Sequence, residues 1–437
     1  MRLRAVGINL VFVLLVLLKA YPLMAEEREK EESEPAFHRG ILLPVSNPLR
    51  GFDSNLFAWH SSTELLFMGG EWLDKRACLS YSKTGRFSYL LLSTYMNWAT
   101  SYYSHEIAHQ FLGVERPVFR VDMKDWYPYL VPEFVFSPIE DFWSIEEFNK
   151  YQDGDNEDYI TKAIYIYESG LYQQKMNSRF AARNSHLVKG TSVNNALQFI
   201  INDLSDFAYL LYGRDRPITV SKEMGYTAHN YNDVNGYVSM MKFEGRIISS
   251  DDWLISSGLA FFASGQTWNS FRALYHYFMS GEKQVENLSF KPGERYEISL
   301  PNFYLFPTVR GLYLETECFV HSGMGGGTYR LGLGTGLDSF GLNQTGPVDW
   351  LRVGGAYYSH RIGIPRFPLT VSPFCYFNFD RSMKHRGQSL GFELQTPSWR
   401  SFSLYARLEH NSNDIEEQLI KNKEEGIYIL TALEINM

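Results

Sequence analysis

The chain has 437 residues, is 45% hydrophobic and 16% aromatic, and carries a formal net charge of -8. That is ample apolar material for a folded core of one or two domains, and it excludes a disordered chain. With an acidic balance and no basic block, nothing electrostatic favours nucleic acid.

The first 25 residues, MRLRAVGINLVFVLLVLLKAYPLMA, join Arg2 and Arg4 to an apolar run and a small residue at Ala25. This pattern reads as a secretory signal peptide. The apolar run is shorter than the roughly 20 residues a membrane-spanning helix needs. Residues 26–36 form a leader dominated by Glu and Lys. The three cysteines, Cys78, Cys318 and Cys375, are far apart and make no CxxC pair. Three cysteines allow one bridge with one thiol left over; secretion would permit it, and the sequence does not choose the pair.

Residues 37–283 read as a helical domain. FSYLLLSTYMNWATSYYSHEIAHQFL, 87–112, runs without Gly or Pro and stops at Gly113; it predicts one long helix. Further helices are expected over 158–182, 194–212 and 252–280, each free of internal proline.

From 284 to 437 the period changes to an alternation of large apolar residues with small or polar ones, as in GLYLETECFV, TYRLGLGTGL and GIYILTALEIN. With YEISLPNFYLF this gives about eight antiparallel strands. A soluble sandwich is one reading. Glycine on one strand parity (Gly332, Gly334, Gly336) and the heavy aromatic use favour an outer-membrane β-barrel. The chain ends in Met437, not in the aromatic residue with which such barrels commonly end.

SHEIAHQFLG places His105, Glu106 and His109 at the C-terminal end of the first helix. On a helix His105 and His109 share one face, so both imidazoles reach one metal with Glu106 beside them. A catalytic zinc takes three protein ligands and a water, and the Glu removes the water's proton. The motif resembles that of the zincin metallopeptidases, over five residues and their helix. That resemblance implies Zn2+ as cofactor, hydrolysis of a peptide or protein, and a third protein ligand.

The metzincin spacing would supply that ligand at Glu115, but Leu112 stands where its glycine belongs. The gluzincin pattern takes a Glu from a later helix, and Glu168 lies on the apolar stripe of Ile160, Ala163, Ile164, Tyr167 and Leu171. A carboxylate there must be paired, protonated or metal-bound. Glu140, Glu146 and Glu147 are weaker candidates, in what reads as a surface turn. Gln173, Gln174 and Asn177 lie where they could orient the ligands. Tyr172, Tyr212, His229 and His276 are candidates to hold an oxyanion.

MGGGTYRLGLGTGLDSFG reads as hairpin turn and strand, not as a phosphate loop, because no helix follows. QDGDNED lacks full calcium-loop spacing and reads as a solvated turn.

The expected molecule is thus an α+β protein: a helical zincin-like domain followed by an eight-stranded outer-membrane β-barrel. Metal ligands are expected at His105, His109 and Glu168, with Glu106 as catalytic base. A lipid ester or amide is the alternative substrate, and a non-enzymatic channel the alternative class.

Overall fold

A computed structural model describes residues 40–46, 63, 69, 82–113, 119–126, 132–136, 157–213, 233–243, 248–293, 295–308, 311–322, 328–336, 350–358, 362–364, 367–380, 384–395, 402–413 and 426–436. The signal-peptide segment, the leader, Cys78, Glu115, Glu140, Glu146, Glu147 and His229 lie outside the described residues.

The first long helix, α1 (Lys83–Gly113), begins where Ser82 Oγ accepts the Gly85 N–H at 3.0 Å, a side-chain cap of the first turn. It packs against α2 (Glu157–Leu187) and α3 (Val193–Asp203), the latter capped by Ser192 through the Asn195 N–H. The expected helix over 194–212 divides at Leu204 into α3 and α4 (Ser205–Gly213). The helix α5 (Asp233–Phe243) follows, then α6 (Ser250–Ala263) and α7 (Gly265–Ser280).

The expected helix over 252–280 is broken between α6 and α7, where Ser264 is extended (φ -67, ψ 128). Its hydroxyl accepts the Phe303 N–H at 2.8 Å, and Gly265 N donates to Pro301 O at 2.8 Å. A Cβ on Gly265 would stand 2.4 Å from Leu300 Cβ, so only glycine admits this approach. The α7 helix ends at Gly281, in the left-handed region (φ 83), with its N–H on Tyr277 O.

Strand β1 (Gly40–Ser46) comes from the N-terminal region; β2 (Phe119–Trp126) pairs β3 (Pro132–Phe136), and β4 (Gly190–Ser192) pairs β5 (Gln284–Glu286). The remaining strands are β6 (Ser289–Phe290), β7 (Tyr296–Ser299), β8 (Asn302–Thr308), β9 (Gly311–Ser322), β10 (Thr328–Gly336), β11 (Trp350–Tyr358), β12 (Ile362–Ile364), β13 (Phe367–Asp380), β14 (His385–Gln395), β15 (Phe402–Asn413) and β16 (Gly426–Asn436). Each of the alternating stretches forms a strand, and YEISLPNFYLF forms two, separated at Pro301. They make one antiparallel sheet of order β1-β16-β15-β14-β13-β11-β10-β9-β7-β6, with β8 on β9 and β12 on β13.

One expectation is corrected by this topology. The sheet does not close into an eight-stranded barrel: it has 12 strands and two ends, β1 and β6. At the β8 side the Ser264–Gly265 corner takes up backbone groups that a further strand would need. Division at residue 283 separates most helices from most strands, but β1 crosses it to pair with β16, Ile41 opposite Ile435.

The sheet's inner face rests on α2. Arg179 bridges Glu315 and Glu317 of β9, and His186 stacks on Phe319 at 4.4 Å between ring centroids. The glycine parity has its cause on this face. A Cβ on Gly334 would meet the Tyr313 hydroxyl at 1.5 Å, and one on Gly391 would meet the Phe374 ring at 2.5 Å. Aromatic rings of one strand lie across glycines of the next, so the inner face is filled by side chains. Among the described residues Cys318 and Cys375 are free thiols, so these two form no bridge with each other.

Candidate metal centre

The site is built where α1, α2 and α5 meet. Gly170 permits the approach: a Cβ there would stand 2.5 Å from the His105 ring, so α2 presents bare backbone to the imidazole. His105 is 1% exposed. Its ring lies parallel to that of Tyr209 on α4, with centroids 5.3 Å apart.

Both ring nitrogens are engaged. Nδ1 lies 3.0 Å from Gln174 Oε1 and Nε2 lies 2.7 Å from Asp233 Oδ2. Which nitrogen carries the proton follows from a chain of hydrogen bonds anchored on a backbone carbonyl. The Asn202 amide nitrogen donates to Gln198 O at 2.8 Å, so Asn202 Oδ1 is turned the other way and accepts the Ser101 hydroxyl at 2.7 Å. Ser101 Oγ, its proton used, accepts from Gln174 Nε2 at 3.2 Å. Gln174 therefore presents its oxygen to His105, and Nδ1 must donate.

With Nδ1 protonated, the neutral ring holds a lone pair on Nε2, pointing at a carboxylate oxygen. Two acceptors at 2.7 Å need a cation between or beside them. A proton meets that need at this distance. A metal ion also suits the donor types, imidazole nitrogen and carboxylate oxygen, with the second nitrogen held by a carbonyl. Two donors on one tetrahedral zinc stand about 3.3 Å apart, and Asp233, 19% exposed, has room to draw back.

The other expected residues fall as follows. Glu106 and His109 are in the last turns of α1, with side chains outside the described residues. Glu168 is 1% exposed, and its Oε2 has no hydrogen-bond partner among the described residues. Burial holds its carboxyl well above the usual carboxylate range. Glu168 precedes Gly170 by two residues, a rotation of about 200° on an α-helix, and shares its side of α2 with Tyr172 and Arg179, which meet Phe306 and β9. Among the described residues no group of three His, Cys, Asp or Glu gathers round one point.

Gln174 is where its spacing placed it, on the candidate ligand, and Asn177 donates to Ser104 Oγ at 3.1 Å. Gln173 bonds Asn177 at 2.9 Å. Among the oxyanion candidates, His276 is paired with Glu282 at the surface, and the Tyr212 side chain is outside the described residues. Asp233 and Tyr209 are not among the residues that the sequence singles out. Asp233 opens a helix in NYNDVNGY, where an acidic residue is ordinary dipole compensation; only the packing of α5 brings it to His105.

Beyond this centre, α2 and α3 enclose Lys175, whose Nζ lies 3.0 Å from Asp203 Oδ1 and 3.1 Å from Asp206 Oδ1. Burial works to lower the lysine's pKa, but the two carboxylates outweigh it and hold it above the ordinary value. Comparison with known proteins returns no matching family model, curated protein or solved structure.

Proposed function

We propose that the chain is a zinc-dependent hydrolase of peptide bonds seated at a bacterial outer membrane. His105, His109 and Asp233 would hold the metal, and Glu106 would act as general base. The observation that carries this reading is the His105 ring: Nδ1 tied to a carbonyl oxygen and Nε2 aimed at a carboxylate, in a buried setting. That is the arrangement of a histidine prepared to give Nε2 to a cation.

When bound, zinc supplies Lewis acidity toward a carbonyl and a more acidic water. The chain's part is positional. Tyr209 and the Gly170 backbone fix the plane of the His105 ring, and Gln174 fixes its proton. Glu106 follows His105 directly on α1 and would take the proton released by the attacking water.

The seat at the membrane is supported by the polarity of the sheet. On β9 the inner residues Glu315 and Glu317 are buried, while on β10 the outer residues Leu331 and Leu333 are 56% and 46% exposed. Apolar outside and charged inside is the order a lipid-facing sheet requires. A barrel wall is the arrangement we infer for it. Apolar exposure extends to the helices, which supports a lipid ester or amide as the second substrate reading.

The test is metal content of the purified mature protein by mass spectrometry, for wild type, His105→Ala, Asp233→Asn and Glu106→Gln. The proposal expects about one zinc per chain, lost in the first two variants and kept in the third, with hydrolysis abolished in all three. Absence of zinc from wild type prepared under zinc-replete conditions, or a Glu106→Gln variant with full hydrolytic activity, overturns it.

A further inference from the structure

The helical hairpin of α6 and α7 is apolar on its outward side, and α7 has its polarity reversed. Its outward residues are Ile255, Leu259, Phe262, Trp268, Phe271 and Tyr275, between 40% and 67% exposed. Their spacing puts each set on one side of its helix. The inward side of α7 carries Gln266, Thr267, Asn269 and Ser270, all buried. These inward groups are hydrogen-bonded: Gln266 N to Asn302 Oδ1 at 2.8 Å, Gln266 Nε2 to Thr191 Oγ1 at 3.1 Å, and Leu288 N to Asn269 Oδ1 at 2.7 Å. A helix in water would place these two sets the other way round.

The reversal continues across neighbouring elements. α1 joins α7 through Arg86 on Met279 O at 3.1 Å and the Tyr89–Tyr277 ring pair at 5.4 Å. It exposes Phe87, Leu91, Leu92 and Tyr95 while burying Asn97, Thr100, Ser101 and Ser104. On the other side, Leu300 abuts Gly265 and is itself 37% exposed. The apolar exterior thus runs from α1 over α7 and α6 to the strands beside β8.

We infer that this helical exterior is immersed in lipid, in the interfacial layer of the same membrane that the sheet's outer face meets. The inference rests on the membrane reading above and extends it from the sheet to the helices. Three observations select lipid over a second protein. The apolar face follows several elements, as a solvent does, where a partner would cover one patch. Between Trp253 and Met279 the chain has one charged side chain, Arg272, and its Nη1 donates to Glu286 O at 3.3 Å. Trp268 is half exposed, yet its indole N–H is satisfied internally on Phe262 O at 3.0 Å, so the ring asks nothing of water. Among the described residues no helix is long and apolar enough to cross a membrane. The hairpin therefore lies in the interface and does not span it.

The test is spin-label accessibility of the full mature chain in phosphatidylethanolamine–phosphatidylglycerol vesicles, with Cys78, Cys318 and Cys375 replaced by Ala. Labels are placed by Ile255→Cys, Phe271→Cys, Leu331→Cys and, as a solvent control, Asp251→Cys, with circular dichroism confirming each fold. The expected result is a several-fold rise in the ratio of oxygen to nickel-complex collision at 255, 271 and 331 over that at 251. If 331 is oxygen-accessible while 255 and 271 meet the nickel complex, the helical face is in water and the inference is overturned, with the sheet's membrane seat intact. If 255 and 271 are shielded from both reagents, protein covers them, and the inference is equally overturned. If 331 also meets the nickel complex, the membrane reading itself fails. Brominated lipid should also quench Trp268 in the unlabelled chain, with the quenched component lost in Trp268→Phe; emission unchanged by the bromines would place that ring outside lipid and overturn the inference.

Discussion

Gln174 turns its side-chain oxygen, not its nitrogen, toward His105: Oε1 lies 3.0 Å from Nδ1 while Nε2 is spent on Ser101. The direction of that amide is decided two hydrogen bonds away, through Ser101, where Asn202 is pinned to the Gln198 carbonyl. Ser101→Ala removes the acceptor that holds Gln174 in place and lets the amide turn over. In 15N-histidine NMR of metal-free protein, Nδ1 of wild-type His105 should carry a proton held by Gln174, and in the variant that proton should lose its hydrogen bond. Zinc affinity, measured by competition with a chromophoric chelator, should fall by about 10–100-fold. An unchanged hydrogen bond at Nδ1 would show that the relay does not control the ring.

Glu168 and Asp233 make opposite predictions. Asp233→Asn should lose bound zinc, whereas Glu168→Gln should keep it. The Glu168 carboxyl is held above its usual range by burial, so the folded state retains a proton that the unfolded state releases above about pH 4.3. Wild-type stability therefore falls as pH rises from there, by up to about 1.4 kcal/mol per pH unit for one proton. Glu168→Gln has no such proton, so its gain over wild type should be larger at pH 7 than at pH 4.5 in urea titrations with chelator present. Equal midpoints at both pH values would contradict a buried, protonated Glu168.

His186 should resist protonation. Burial and the neighbouring His321 push its pKa down to about 3, against the pull of Glu317. The Asn302 and Asn287 amide nitrogens face its two ring nitrogens at 3.3 and 3.4 Å, and neither amide accepts a ring proton. The unfolded chain takes up a proton near pH 6.5, so this group adds no stability above that pH and removes some as pH falls toward about 3. NMR titration should show His186 neutral at pH 5. A normal imidazole titration there would refute the packing described.

Lys175 is closed in with Asp203 and Asp206, and Ser257 donates to Asp206 Oδ2 at 2.7 Å. Lys175→Met leaves two buried carboxylates without their cation. It should cost about 3–5 kcal/mol of stability by urea denaturation, because uncompensated buried charge is the expensive case. A loss under about 1 kcal/mol would mean that water reaches the cluster.

Much of this molecule can be read from local pattern. The absence of Gly and Pro over residues 87–112 is enough for α1, and period-two alternation is enough for each strand from β9 to β16 except the three-residue β12, because those signals depend only on neighbours in the chain. HEIAH names His105, and a place beyond Glu168 on the same helix names Gln173, Gln174 and Asn177 together; the packing chooses Gln174. Other features require the tertiary structure. Ser264 and Gly265 break a helix that the sequence leaves continuous, because a strand 36–39 residues away takes their hydrogen bonds. Asp233 comes to His105 from 128 residues along the chain. Glu168 sits beside an apolar stripe as expected, and Ile164, Tyr167 and Leu171 of that stripe pack in one cluster with Val234, Tyr237 and Met241 of α5 and with Leu305 and Leu312 of the sheet. Periodicity specifies which residues share a side of a helix; only packing against other elements decides what that side meets.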